Sequence, residues 1–359
     1  MKRFFKVFFL TVGSLLILFA GYYFLVRKLD RDALEEKDFY VSRYDAQSPV
    51  LLPSLFINGE RFYLKIPTTN GDTVLAFGDT GGGISMLMPA TVDRLGLRSK
   101  VHTGLLKGLM PMKYIFFSDV VSNPTVPAPV PHRSIIVRTP VARVSESFLF
   151  VPSMDDEVKF LTEKMHLDMF LGQNYFMGKA WTFDYPNRQI WVNTPLPATE
   201  EGQPGVQKLG FKENSNHENI YAHPSTFITV NGEKIDVLFD AGASIIPSEA
   251  GKKLLNTTAL SIGGSFIAAS IFDRWRKDHP DWKYFEKADL GADVIEVPVV
   301  NIGGIDVGPV LFARRDDKVW SEGMIQTMDK VVKGAIGGSA LKYLKVIIDY
   351  NSRLIKFSK

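Results

Sequence analysis

The chain has 359 residues, 45% hydrophobic and 23% charged, enough to bury one large core or two medium ones. Its net charge of +3, with no dense basic run outside the N-terminus, gives little footing for nucleic acid. With no cysteine, disulfides, thiolate catalysis and cysteine-based zinc sites are excluded.

The first element is apolar. Positions Val7 to Val26 carry no charge and are rich in Phe, Leu, Val and Ile, a length suited to a bilayer-spanning helix. Lys2, Arg3 and Lys6 precede it, as expected for an N-terminus left in the cytoplasm, whereas Arg27, Lys28 and Arg31 follow it and blur the orientation. A cleaved signal peptide is the competing reading, but Phe19-Ala20-Gly21 followed by Tyr22-Tyr23 is a poor cleavage site. The expected plan is a cytoplasmic stub at 1–6, a signal anchor at 7–26 and a charged tether at 27–50. The rest of the chain then lies outside the cytoplasm, on a single-pass membrane protein.

From Leu51 onward, short β-type runs alternate with turn signals at Asn58-Gly59, Asn70-Gly71, Asn231-Gly232 and Gly303-Gly304, which predicts a mainly β architecture with hairpins. Val74–Phe77 and Ile235–Phe239 run apolar into two aspartates, Asp79 in Gly-Asp-Thr-Gly-Gly and Asp240 in Phe-Asp-Ala-Gly-Ala. Each aspartate lies nine residues after an Asn-Gly turn. Each is followed by an apolar-apolar-Gly step, Phe170-Leu171-Gly172 and Ala335-Ile336-Gly337. Twelve residues beyond that glycine stands an Asp-Tyr-x-x-Arg, Asp184 to Arg188 and Asp349 to Arg353. A turn in a β-protein explains either aspartate alone; it does not explain the pair.

Pro89–Leu97 and Pro247–Leu255 read as short helices opened by proline, the first closed by Gly96. Asn193–Gln207, with three prolines and two glycines, separates the copies. The expected division is a first lobe at 51–200, a linker at 201–222 and a second lobe at 223–359. Ser270 to Leu290 reads as a helical insertion kinked at Pro280, its aromatics packed on the second lobe as a lid.

These paired frames resemble the aspartic peptidases of the pepsin and retropepsin clan over residues 51–359. The helix after the first motif is closer to bacterial retropepsin-like members, here with two lobes on one chain. The resemblance implies a bilobal pepsin-like fold of duplicated β-barrel-like lobes around an active-site cleft, with Asp79 and Asp240 catalytic. It assigns loop support to Thr80, Gly81, Ala241, Gly242, Gly172 and Gly337. It implies extended protein or peptide substrates, a monomer, and no metal or cofactor. A flap is expected over the cleft, from Gly104–Phe117 with Gly108 at its tip, or from Ser261–Ala268.

Two departures matter. Ala241 lacks the hydroxyl that Thr80 keeps, so half of a grip between lobes is missing, on the order of 1 kcal/mol of local rigidity. Gly82 and Ala243 stand where pepsins often carry a serine that donates to the catalytic carboxylate. Without those donors the anionic form is less favoured, which predicts a weakly acidic to neutral working pH. The six histidines show no metal-ligand spacing, and there is no Gly-x-Ser-x-Gly nucleophile elbow or phosphate loop. Three readings stay open: a membrane-tethered aspartic endopeptidase, a pepsin-like module that binds extended peptides without cleaving them, and a structural envelope protein.

Overall fold

The structure, a computed structural model, describes residues 2–36, 48–58, 60–106, 110–139, 142–159, 161–162 and 166–359. It is mainly β. One nine-stranded sheet is built from Ser54–Ile57 to Met169–Leu171, and a second from Ser225–Val230 to Gly334–Ile336. Each has the same centre. An antiparallel pair leads into an aspartate, Arg61–Pro67 with Thr73–Gly78 in one case and Ser225–Val230 with Glu233–Phe239 in the other. The strand of the apolar-apolar-Gly step then lies parallel beside it, Phe170 opposite Phe77 and Ile336 opposite Phe239. Alternation of buried and less buried positions along Thr73–Gly78 fits a strand with one face on the core.

The ends of both halves meet in a third sheet of six strands. Ala180–Asp184 pairs antiparallel with Lys345–Asp349, Phe183 opposite Val346. Val50–Leu52 and Val206–Lys208 form its edges. Asp184 and Asp349 serve the hairpins that follow them: Asn187 N donates to Asp184 Oδ1 at 3.0 Å and Asn351 N to Asp349 Oδ1 at 2.8 Å. Both hairpins turn on a left-handed arginine, Arg188 (φ 56°) and Arg353 (φ 58°). Trp181, Phe183, Phe62, Phe176 and Phe239 are all buried in one cluster, which joins the halves through the 6.1 Å contact of Phe183 with Phe239. Rings at this spacing add about 1 kcal/mol beyond their buried area.

Several expectations change. Ser270–Leu290 is not one kinked helix: the helix Ala269–Asp278 ends before Pro280, and Lys283–Asp289 is a strand paired with Ala292–Val297. The hairpin between them turns on Leu290 and Gly291, both at positive φ, and cross-strand pairing outweighs the helical propensity of the charged residues. Its aromatics do pack inward, with Phe272 and Trp275 buried and Trp275 on Phe312 at 5.5 Å. Ser261–Ala268 is no free flap, because its strands pair with Ser244–Ile245, Val310–Arg315 and Gly334–Ile336. Pro247 precedes the second short helix instead of opening it; Ser248 is the cap, accepting from Gly251 N. In the other flap candidate, His102–Leu106 and Met110–Phe116 form a hairpin whose Gly108 tip lies outside the described residues. Tyr114 there is buried against His102, Phe116 and Phe148 as ordinary strand packing.

The N-terminal helix runs from Lys2 to Glu35, into the stretch expected as tether. Its end is held by both the first half and the linker: Asp30 pairs with Arg138, and Leu34 O accepts from Arg133 and Asn214. Leu15, Leu16, Ile17, Leu18 and Phe19 are exposed on it. Among the described residues no helix is long and apolar enough to cross a membrane. The expected span includes positions 7–11 and 13, whose side chains lie outside the described set.

Candidate active site

Asp79 and Asp240 each follow the last residue of a buried strand and are fixed by the same contacts. Asp79 N donates to Leu171 O and Asp240 N to Ile336 O, both at 2.9 Å. The carboxylates accept from the glycine two residues on, Gly81 N to Asp79 Oδ1 at 3.0 Å and Gly242 N to Asp240 Oδ1 at 3.1 Å. The glycine behind each loop is held by a serine hydroxyl, Gly172 N on Ser85 Oγ and Gly337 N on Ser265 Oγ, both at 3.1 Å. The duplicated sequence frame is therefore a duplicated hydrogen-bond frame.

The two loops meet. A Cβ on Gly81 would lie 2.5 Å from Asp240 Cγ, and one on Gly242 would lie 2.3 Å from Asp79 Cγ. Each motif glycine thus lets its backbone close on the opposite carboxyl, a space no other residue leaves free. The carboxyl groups hydrogen-bond each other. Asp240 is buried and Asp79 half-buried.

Burial, then the neighbouring negative charge, pushes Asp79 well above the usual carboxylate value, and its hydrogen bond to Asp240 adds to this. Burial also raises Asp240, opposed by the bond from Asp79 and by backbone N–H groups of Gly242, Ala243 and Gly81. Two such carboxyls cannot both ionise cheaply, so they titrate as a coupled pair that shares one proton between its two ionisation steps.

Among the described residues Thr80 is the single hydroxyl grip between the loops. Its fully buried Oγ1 donates to Phe239 O and accepts from Ala241 N, both at 2.9 Å. Ala241, also buried, returns nothing from its side chain. Thr80→Val keeps the shape but orphans both buried partners, at about 1–3 kcal/mol each. We expect a lower urea midpoint equivalent to about 2–6 kcal/mol; an unchanged midpoint would mean that the grip carries no stability.

All eight residues named from the sequence therefore fall at this junction. Sequence reading did not single out Arg61 and His223, which reach the loops from the opposite half; neither stands in a motif. Among the described residues no group of three or more His, Asp or Glu could hold a metal ion. In comparisons with known proteins, no family model and no curated protein matches this chain.

Proposed function

We propose that the chain is an aspartic endopeptidase of pepsin-like bilobal fold, hydrolysing peptide bonds with a water activated between Asp79 and Asp240. One observation carries the reading: two identically framed aspartate loops, from separate halves, bring two carboxyls into hydrogen-bond contact. In this reading Asp240, the ionised partner, takes a proton from the water, which attacks the scissile carbonyl carbon. Asp79, protonated, donates to the carbonyl oxygen as it becomes the tetrahedral hydroxyl; a proton then passes to the leaving nitrogen and the C–N bond breaks. No covalent intermediate forms. Aspartic peptidases are the standard case of a pair that shares one proton in this way.

The N-terminal helix, with its exposed apolar side chains, supports a membrane anchor that keeps the two lobes on the extracytoplasmic side. Extended protein or peptide segments are the substrates. The second reading, a pepsin-like module of the cell envelope that binds peptides without cleaving them, is favoured by one observation, the one-sided grip at Ala241.

A statine-type mimic separates the two readings, because its hydroxyl occupies the place of the attacking water. Hydrolysis by the full-length chain should be blocked by the mimic and peak at weakly acidic to neutral pH, since both carboxyls are raised. A peak below about pH 3 would contradict the assigned protonation.

A further inference from the structure

Behind each aspartate loop, a side chain from the other half reaches across. From the first half, buried Arg61 sends Nη1 to Ser261 Oγ at 2.7 Å and to Ser244 Oγ at 3.4 Å, and Nη2 to Ser261 O at 2.5 Å. Ser244 Oγ in turn donates to Gly242 O at 2.8 Å, inside the Asp240 loop. Beside it Glu60 accepts from Gly263 N and from Lys342 Nζ, both at 2.9 Å. From the second half, buried His223 places Nε2 3.1 Å from Gly82 O, inside the Asp79 loop, and Nδ1 2.8 Å from Thr327 Oγ1. Beside it Ala222 N donates to Gln173 Oε1 at 2.7 Å, and Gln173 N donates to Gly82 O at 3.1 Å. Arg61 stands 18 residues before Asp79 and His223 17 before Asp240. The two are reciprocal clamps. Their chemistry differs: one is a fixed cation, the other an imidazole.

A carbonyl oxygen only accepts, so Nε2 carries the ring proton; the Thr327 hydroxyl beside Nδ1 also donates to Met324 O at 3.1 Å, so its one proton is shared between that oxygen and the neutral ring. Burial holds His223 down to about 4, with His132 the neighbouring ionisable ring, so the neutral tautomer persists through weakly acidic and neutral pH. Residue 82 is held at both ends. Its oxygen is fixed by His223 and Gln173, and its N–H donates to Asp79 O at 3.2 Å, closing the turn in which Gly81 N–H donates to the Asp79 carboxyl.

We propose that His223 is a positioning residue for Asp79: by fixing the Gly82 carbonyl from the opposite half, it holds the turn in which Gly82 N–H closes on Asp79 O and Gly81 N–H reaches the carboxyl. The consequence for rate rests on the peptidase reading; the consequence for titration does not.

The test uses the full-length chain in detergent, labelled with carboxyl-¹³C aspartate and titrated by NMR, beside casein hydrolysis. His223→Ala removes the contact. His223→Asn reaches Thr327 but not Gly82, and keeps the test open if the alanine variant does not fold. His223→Gln restores a donor near the Nε2 position. The pair's upper apparent pKa should rise by about 1 in the Ala and Asn variants and return toward the parent value in Gln. kcat should fall about tenfold in Ala and Asn with KM little changed, again recovering in Gln. Parent-like titration in Ala or Asn, or a Gln variant no better than Asn, would overturn the proposal. A titration that shifts and recovers in a parent chain that hydrolyses nothing would sink the peptidase reading and leave the positioning role standing.

Discussion

Asp79→Asn should hydrolyse nothing measurable, a loss of at least about a thousandfold, and yet melt higher than the parent at pH 7. Asparagine keeps the shape and donates to the Asp240 carboxylate, but carries no proton for the carbonyl oxygen and no charge to repel its neighbour. The sign follows from the raised native pKa. Between the unfolded value, near 3.8, and the native one, the folded chain holds a proton that the unfolded chain has released. The stability supplied by the protonated carboxyl is complete below that unfolded value and is lost as pH rises through the native one. Each unit of elevation corresponds to about 1.4 kcal/mol. The parent therefore loses more stability toward neutral pH than the variant, which keeps only the burial of Asp240. Melting curves should separate by roughly 2 °C or more at pH 7 and converge below about pH 4. A variant that melts lower at pH 7 would show that the two carboxyls do not strain each other.

Gly172→Ala should be strongly damaging at the site itself. Gly172 has an ordinary φ of −85°, so the cost is one of space. The new Cβ would lie 2.0 Å from Gly83 O and 2.7 Å from Gly83 C, backbone atoms of the Asp79 loop that no rotamer change can move. Relief requires parting the strand Met169–Leu171 from that loop, breaking the bonds of Asp79 N to Leu171 O and Gly172 N to Ser85 Oγ. We expect about 3 kcal/mol or more of destabilisation, read as a collapse of the urea midpoint or of soluble yield. Gly337→Ala should be damaging too, since its Cβ would lie 2.5 Å from Gly264 O and 2.7 Å from Asp240 O, both backbone atoms. A Gly172→Ala chain with the parent's midpoint and full activity would refute the close packing of loop and strand.

Much of the site was legible because its determinants are local. Apolar runs that end in Asp-x-Gly, the step at Gly172 and Gly337, and the Asp-Tyr turns each fix a short piece of backbone, and the repeat marks the pieces that belong together. What was hidden is non-local. The pairing of Phe183 with Val346 depends on two distant segments meeting, and nothing in either strand names its partner. Arg61 and His223 act through backbone atoms of the other half, so residue type alone gave no signal. The strand Lys283–Asp289 was misread as helix because its charged residues favour helix when judged alone; the turn at Leu290-Gly291 was the available clue. Ser261–Ala268 was misread as a flap because Gly263 and Gly264 suggest a mobile tip. They are small because Glu60 Cβ lies 2.5 Å from where a Cβ would stand on Gly263, and Ile245 Cγ1 lies 2.7 Å from one on Gly264.

The central claim is that Asp79 and Asp240 act as one peptide-hydrolysing pair. Its most direct measurement is casein cleavage by the full-length chain from about pH 3 to about pH 8, beside Asp79→Asn and Asp240→Asn. The account predicts cleavage by the parent and none by either variant, because each carboxyl has a separate task. Cleavage that survives in either variant, or a folded parent that cleaves nothing across that range, would contradict it.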